Sequence, residues 1–438
     1  MDAKERVASD VVRRLQAAGH ETYFAGGCVR DRLLGRTPGD YDVATAAPPD
    51  VVRKLFRRTV GVGAAFGVIL VMEGDFQFDV ATFRSDDAYV DGRRPSAVHF
   101  ASAARDAERR DFTVNALFFD PSTGRVIDFV GGERDLRAGV IRAIGDADAR
   151  IREDRLRMLR AVRFAARFGW EIEPATRDAI RTSAASVTDM AAERIGDEIV
   201  KMLTEGSAKR SFDLLDETGL LPVVLPEVAA MHGIAQSPDH HPEGDVWMHT
   251  LLLLDQLPPG APETLALGCL LHDVAKPLTA ARREDGRITF YGHPERGADM
   301  AVGIVQRLKR SRETWERVDY LVRHHLRLVQ APEMRLSTLK RMLAEDGFDE
   351  LLRLARIDAL ASSGNVEFVL YCERRREELR ADVRPPRLLG GHDVMALGVP
   401  AGPRVGELLR GLETAQLEGE LSSREDAIAW VRRRLAGR

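Results

Sequence analysis

The chain has 438 residues, so its length calls for about three domains, each large enough to bury its own core. Hydrophobic residues make up 44% and charged residues 30%, an ordinary globular balance, and no run is long and uncharged enough to span a membrane. A net charge of −4 excludes a uniformly basic nucleic-acid-binding module, and three scattered cysteines, Cys28, Cys269 and Cys372, form neither a CxxC pair nor an even disulfide framework, which points to a reducing, cytoplasmic compartment.

The start, MDAKERVASDVVRRL, is charged and amphipathic and lacks the apolar core of a secretory signal. Thr22 to Ala25 reads as a strand ending at Gly26-Gly27, and Val29 to Leu34 as a helix closed by Gly35. Tyr41 to Ala44, Val68 to Met72 and Phe76 to Phe83 are further strands, the last with Phe76, Phe78 and Val80 on one face and Gln77, Asp79 and Ala81 on the other. From Asp146 the periodicity turns helical, over Arg152 to Phe168, Ala191 to Leu203 and Ser207 to Thr218, with Ile288 to Tyr291 as the one strand-like run. Breaks at Gln236 to Gly244, Pro258 to Pro262 and Arg384 to Gly391 complete the outline. The expectation is an α+β fold with segments 1–145, 146–235, 236–383 and 384–438, a small mixed sheet in the first and helices in the rest.

Chemistry concentrates first in Gly26-Gly27-Cys28-Val29-Arg30 followed by Asp40-Tyr41-Asp42. Paired glycines between a strand and a helix let backbone N–H groups approach phosphate oxygens, and Arg30 adds a cationic donor one turn along. Residues two apart in a strand share a face, so Asp40 and Asp42 present two carboxylates to one point where Mg²⁺ can bridge nucleotide phosphates and a 3′-hydroxyl. Either motif alone is more often a turn or a surface acid pair; their order and separation carry the signal. Asp79 is a third carboxylate candidate, equally readable as a solvated strand residue.

This arrangement resembles the class II tRNA nucleotidyltransferase and bacterial poly(A) polymerase family, whose head belongs to the DNA polymerase beta superfold. Four further motifs follow in the family's order: Thr82-Phe83-Arg84 leading into Asp91-Gly92-Arg93-Arg94-Pro95, which looks like the flexible loop; Arg109-Arg110-Asp111-Phe112-Thr113-Val114-Asn115; Glu153-Asp154-Arg155-Leu156-Arg157 running on to Phe164; and Glu193-Arg194-Ile195-Gly196-Asp197-Glu198. The resemblance implies that Gly27, Arg30, Arg110, Asp111 and Asn115 contact the nucleotide, that Asp154 and Arg157 select the base, that Arg160 and Arg163 hold triphosphate, and that the substrates are ATP, CTP and the tRNA 3′ end. It makes 1–145 a catalytic head, 146–235 a helical neck and 384–438 a C-terminal body that grips RNA by shape and phosphate contacts.

Residue chemistry supports the base-selecting role independently. Asp154, Arg157 and Arg160 recur every three residues on one helix face, with Leu159, Val162 and Ala166 on the apolar side. An aspartate accepts from an exocyclic amine and an arginine donates to ring acceptors, which suits cytosine and adenine and mismatches uracil and guanine. Arg163 is the less secure of the two triphosphate candidates, because three-residue spacing drifts around a helix.

Seven of the 11 histidines fall between residues 240 and 325. His249, His272-Asp273 and Asp358 resemble an HD phosphohydrolase site, in which imidazoles and carboxylates bind a divalent transition metal or Mg²⁺ and activate water. His293, His324 and His325 are candidates for a second metal, whereas His240 and His241 read as polar loop residues. The family association of this module, 236–383, is with hydrolysis of phosphorylated RNA ends. The competing functions are a poly(A) polymerase, against which stands the lack of a proline after Asp154, an enzyme adding only the terminal A, and a catalytically dead RNA-binding or HD protein, against which stand the intact Asp40, Asp42, Asp154 and Arg157. Retention of the Asp91 to Pro95 loop argues against CC-only addition. The sequence leaves oligomeric state open.

Overall fold

The computed structural model describes residues 2–63, 67–86, 98–237, 244–380 and 385–436. The Asp91 to Pro95 loop, His240 and His241 lie outside the described residues. Backbone contacts divide the chain into two compact units, Met1–Ala229 with Pro258–Gly260, and Ala230–Leu257 with Ala261–Arg438.

The first unit opens with helix α1 (Ala3–Ala17), capped by the Asp2 side chain on the Glu5 amide, with Ala8, Val11, Val12 and Leu15 buried at the three- and four-residue spacing of an amphipathic helix. Strands β1 (Thr22–Ala25), β2 (Val43–Thr45), β3 (Thr59–Gly63), β4 (Val68–Glu73), β5 (Phe76–Thr82), β8 (Phe118–Asp120) and β9 (Arg125–Ile127) form a seven-stranded sheet in the order β3-β4-β5-β2-β1-β8-β9. Only β2 and β5 among its pairs run parallel, with Val43 opposite Val80, so the residues just before them, Asp42 and Asp79, come to neighbouring positions. Short strands β6 (Arg84–Asp86) and β7 (Val98–Phe100) pair apart from it. On β5 Phe78 and Val80 are buried while Gln77 and Asp79 are exposed, as its alternation predicts.

Helices α2 (Gly27–Leu33), α3 (Pro49–Leu55), α4 (Ala103–Glu108) and α5 (Gly132–Ala138) accompany the sheet, and Ala25, Phe83, Ala107 and Phe118 belong to one core cluster. Then come α6 (Ala147–Glu153), α7 (Leu156–Phe168), α8 (Pro174–Ser183), α9 (Ala192–Thr204), α10 (Ala208–Glu217), α11 (Leu221–Val224) and α12 (Pro226–Ala229). A two-residue parallel pair joins β10 (Val140–Ile141), which precedes α6, to β11 (Glu171–Ile172), which separates α7 from α8. Strands this short carry no readable alternation, which is why they were not foreseen.

The second unit is helical: α13 (Val246–Asp255), α14 (Glu263–Leu271), α15 (Lys276–Thr279), α16 (His293–Arg307), α17 (Arg312–His324), α18 (Leu336–Leu343), α19 (Phe348–Ala361), α20 (Glu367–Glu378), α21 (Gly391–Ala396), α22 (Pro403–Leu417) and α23 (Arg424–Ala436). Every residue of α14 from Leu265 to Leu271 is buried, so this helix is the unit's centre, with α13, α17 and α19 packed on it. A hairpin, β12 (Ala281–Arg282) with β13 (Ile288–Thr289), enters between α15 and α16 where the sequence showed its strand-like run. Leu389, Val394, Leu408, Leu412, Trp430 and Val431 make a separate C-terminal core. No helix among the described residues is long and apolar enough to cross a membrane.

Candidate functional site

A cavity of about 510 Å³ in the first unit is lined by Gly26, Gly27, Arg30, Asp42, Arg109, Arg110, Asp111, Asn115, Asp154, Arg157, Arg160, Arg163, Phe164 and Arg167. It gathers ten of the residues singled out in the sequence from four separate motifs, and leaves Asp40 out. Gly26 has φ +74°, and a Cβ there would lie 2.9 Å from Arg110 Nη1, so this position demands glycine. A Cβ on Gly27 would make only ordinary contact, 3.6 Å from Arg30 Nη2. The first glycine of the pair therefore shapes the turn, and Gly27, expected to contact the nucleotide, lines the cavity beside it.

The arginines are held by carboxylates and amides. Arg30 is buried and donates from Nη1 to Asn115 Oδ1 (2.6 Å). Asn115 Nδ2 donates to Asp111 Oδ1 (3.1 Å), and Asp111 Oδ2 accepts from both Nε (2.8 Å) and Nη2 (2.7 Å) of Arg160. Burial pushes the Asp111 carboxyl up, but Arg160 and the Asn115 amide outweigh it and hold the group below the usual carboxylate range. Arg110 donates to Asp106 Oδ2 and to the Asn115 carbonyl, and Arg109 donates to Asp106 Oδ1. Asp106 is a buried positioning residue that the sequence reading passed over; its place three and four residues before two arginines on a helix was the available signal. The turn at Thr113–Asn115 is fixed by the Thr113 hydroxyl donating to Asp135 (2.8 Å) and by Gly132, where a Cβ would fall 2.2 Å from the Thr113 carbonyl oxygen.

The continuous helix expected from Arg152 to Phe168 is broken. α6 ends at Glu153, Asp154 is extended (φ −142°, ψ 102°), and α7 begins at Leu156. The cause is local: Asp154 Oδ1 accepts the Leu156 amide (3.1 Å), the competition with helical bonding that makes aspartate a cap residue. Asp154 thus reaches the cavity beside Arg157 through a bend, not by sharing a helix face with it. Its Oδ2 accepts from Arg194 Nη2 (3.0 Å), while the buried Arg157 donates to the carbonyls of Arg150 (2.7 Å) and Arg109 (3.2 Å) and to Glu153 (2.7 Å). Arg163 donates from Nε to the buried Glu198 (2.7 Å) and pairs with Glu205 (3.3 Å), so its charge is engaged inside the protein. Arg194 and Glu198, from the neck motif on α9, therefore brace Asp154 and Arg163 respectively.

Strand β2 starts at Val43, so Asp40 and Asp42 precede the regular strand, although the Ala25 amide still donates to the Asp42 carbonyl. Asp40 is largely exposed, accepts from the Tyr41 amide and pairs with Lys4 (3.0 Å). Asp42 opens onto the cavity, where enclosure by protein, followed by the charges of Asp40 and Asp79, raises its pKa. Asp40 and Asp79 thus add negative charge near Asp42, and carboxylate oxygens are the ligand type that Mg²⁺ takes, although the three do not come together as a ligand group among the described residues.

The second unit brings a second set together. His249 Nε2 lies 3.1 Å from Asp358 Oδ1, and His272 Nε2 3.2 Å from Asp273 Oδ2. His293 and His325 approach Asp273 Oδ1 at 3.4 and 3.8 Å, and their own Nε2 atoms are 3.3 Å apart. Nδ1 of His272, His293 and His325 donates to the carbonyls of Cys269, Phe290 and Val322, which leaves each Nε2 facing the cluster, where a neutral ring can offer it to a metal. His272 Nε2 and Asp273 Oδ1 are buried without a hydrogen-bond partner among the described residues. Burial, then His272, depresses the His325 pKa to about 4, keeping the ring neutral, and Asp273 is held well below the usual range by His272 and Lys276 against the effect of burial. Two groups of potential ligands, His249, His272 and Asp273, and Asp273, His293 and His325, share Asp273. His324 is not brought to the cluster; its ring packs on Tyr320 at 5.0 Å. Lys276, not singled out as a site residue, donates to Asp273 Oδ2 (2.7 Å) and Gln236 (2.6 Å).

The chain matches the poly A polymerase head domain over residues 22–142, a probable RNA and SrmB-binding site of polymerase A over 169–231, and the HD domain over 240–362. It is 31% identical over 432 residues to a CCA-adding enzyme of a Geobacillus species, covering 96% of this chain and 95% of the relative. It is also 35% identical over 425 residues to the CC-adding tRNA nucleotidyltransferase of Thermus thermophilus, covering 94% and 93%. The Bacillus stearothermophilus CCA-adding enzyme in complex with CTP superposes with a TM-score of 0.76 at 27% identity, over 100% of this chain and 98% of that one. The chain belongs to the family of tRNA nucleotidyltransferases that includes the CCA-adding enzymes.

Proposed function

We propose that this protein completes the tRNA 3′ end without a nucleic-acid template, adding C, C and A from CTP and ATP. The observation that carries the reading is the convergence of Asp42, Asp154 and Arg157 on one arginine-lined cavity. In the reaction the tRNA 3′-oxygen bonds to the α-phosphorus, the α–β anhydride breaks, pyrophosphate leaves and the hydroxyl proton passes to solvent. Asp42, with Asp40 and Asp79 beside it, would hold Mg²⁺, which when bound neutralises triphosphate charge and favours the 3′-alkoxide. Arg110 and Arg160, pre-aligned by Asp106 and Asp111, hold the phosphates with little reorganisation. Asp154 and Arg157 supply the acceptor and donors that a template base would otherwise present. Arg163 acts here as a brace for the neck, in line with its buried partners.

The test is incorporation onto tRNA ending at the nucleotide before CCA, and onto tRNA already carrying C or CC. Full CCA addition requires CTP on the first two substrates and ATP on the third; stopping after CC, adding only A, or extending unrelated RNAs with A identifies the other members of the family.

The second unit supports a phosphohydrolase acting on phosphorylated RNA ends. His249, His272, Asp273 and Asp358 would hold one divalent cation, and His293 and His325 with Asp273 a second; the mixed imidazole and carboxylate donors suit a transition metal. Such a pair, when bound, activates water for attack on a phosphoester. The division into head, neck, HD and C-terminal modules at 145, 235 and 383 and a cytoplasmic location complete the reading, the latter supported by three buried free cysteines.

A further inference from the structure

Asp40 and Asp42 are two residues apart, yet only Asp42 lines the nucleotide cavity. Asp40 turns instead to helix α1. Its Oδ1 pairs with Lys4 Nζ at 3.0 Å, and the same ammonium donates to the Gly39 carbonyl at 2.9 Å. The Lys4 side chain is 28% exposed against 70% for Asp40, so the lysine is the more enclosed partner. A cation of the protein's own thus sits on one of the two carboxylates proposed to hold Mg²⁺.

Lys4 is out of keeping with its place in the helix. α1 starts at Ala3 with Asp2 as its cap, so Lys4 falls in the first turn, where unpaired amides and the helix dipole favour acids and oppose cations. The helix gains nothing from that charge; Gly39 and Asp40 take it up. The position is also fixed from both sides. Glu5, next along α1, is buried and accepts from Arg32 of α2, whose guanidinium lies over the Phe119 ring 4.5 Å from its centroid. Tyr41 is buried against Phe24, with ring centroids 5.3 Å apart, and the Ala25 amide donates to the Asp42 carbonyl at 3.0 Å. Tyr41 and Asp42 are therefore anchored, and a change of partner falls on Asp40 and on Gly39 ahead of it.

We propose that Lys4 is a positioning residue that competes with the metal: its ammonium holds Asp40 outside the nucleotide cavity, and a divalent cation gains Asp40 only by displacing it. Two cations on one carboxylate repel each other, so the strength of the Lys4 contact is subtracted from the affinity for the ion. The proposal rests on the reading of Asp40 and Asp42 as metal ligands and adds what sets the cation concentration they need.

The test is Mn²⁺ binding to the full-length protein, read by electron paramagnetic resonance of the free ion, with Asp42→Asn identifying the ion held at the nucleotide cavity. Lys4→Ala should bind that ion about threefold to fivefold more tightly, the worth of a partly exposed ion pair. Lys4→Met, which keeps the side-chain length without the charge, should show the same shift, and Lys4→Arg should match the parent. The Mg²⁺ concentration that half-saturates CTP addition should fall by the same factor in Lys4→Ala. Unchanged Mn²⁺ affinity in Lys4→Ala and Lys4→Met would mean that the contact only ties α1 to the loop, and weaker affinity that Lys4 orients Asp40 for the ion; either result overturns the competition. If Asp42→Asn binds as much Mn²⁺ as the parent, the metal reading of Asp42 falls, and the proposal falls with it.

Discussion

Replacing Asp154 by asparagine separates base selection from structural support at the bend between α6 and α7. The parent carboxylate does two jobs: Oδ1 accepts the Leu156 amide at 3.1 Å and Oδ2 accepts from Arg194 at 3.0 Å. Asp154→Ala removes both, at a cost of about 1 kcal/mol for the lost cap alone. It also deprives Arg194, whose Nη1 is already buried without a hydrogen-bond partner among the described residues, of a counter-ion. Asp154→Asn keeps the cap acceptor and the side-chain volume and gives up only the charge facing Arg194, so it costs less stability than Asp154→Ala. What changes is the edge offered to the base, because an amide can turn its NH₂ toward the carbonyl that uracil carries in place of the cytosine amine. A bidentate contact is worth about 1 to 3 kcal/mol of discrimination, so the CTP-to-UTP preference should fall roughly five- to hundredfold. Single-turnover incorporation of each nucleotide onto tRNA lacking its 3′ end measures this, with thermal unfolding as the control. An unchanged CTP-to-UTP ratio in an Asp154→Asn protein that unfolds at the parent temperature would refute base selection by this residue.

Asp42→Asn should abolish incorporation while tRNA affinity, measured by filter binding, changes little, since the residue faces the nucleotide cavity. Asp273→Ala should eliminate phosphate release and lower bound Mn²⁺ in metal analysis, with nucleotide addition retained; loss of both activities in a folded protein would contradict separate sites. Arg163→Met should destabilise the protein by about 3 kcal/mol or more in urea unfolding, because Glu198 is left buried without its main partner. A normal unfolding midpoint with a large rise in KM for CTP would instead return Arg163 to the triphosphate. Asp106 and Asp111 titrate below the ordinary carboxylate range when folded, so the unfolded chain takes up protons first as pH falls. Their contribution to stability is complete above the unfolded carboxylate pKa and is lost as pH drops through the folded values. Asp106→Asn should therefore flatten the acid limb of the stability profile.

Short-range rules made much of this protein legible. The alternation on β5, the glycine pair closing β1 and, apart from the break at Asp154, the helical periodicity after residue 146 depend on neighbours within a few residues, and the structure has them where the sequence placed them. Residue chemistry likewise singled out the arginines and carboxylates of the cleft and the imidazoles of the second unit. Tertiary structure decided how those groups are engaged. Arg163 and Arg160 look equivalent along α7, yet one meets Glu198 from α9 and Glu205 just after it and the other meets Asp111, partners 35 or more residues distant. His324 and His325 are adjacent, but a step of about 100° around a helix turns only the second toward Asp273. The break at Asp154 is a local competition between one side-chain acceptor and the helix ladder, but the partner that holds its second oxygen, Arg194, comes from another helix. Local pattern determines which groups a segment offers; only long-range packing determines which of them are left open to a ligand.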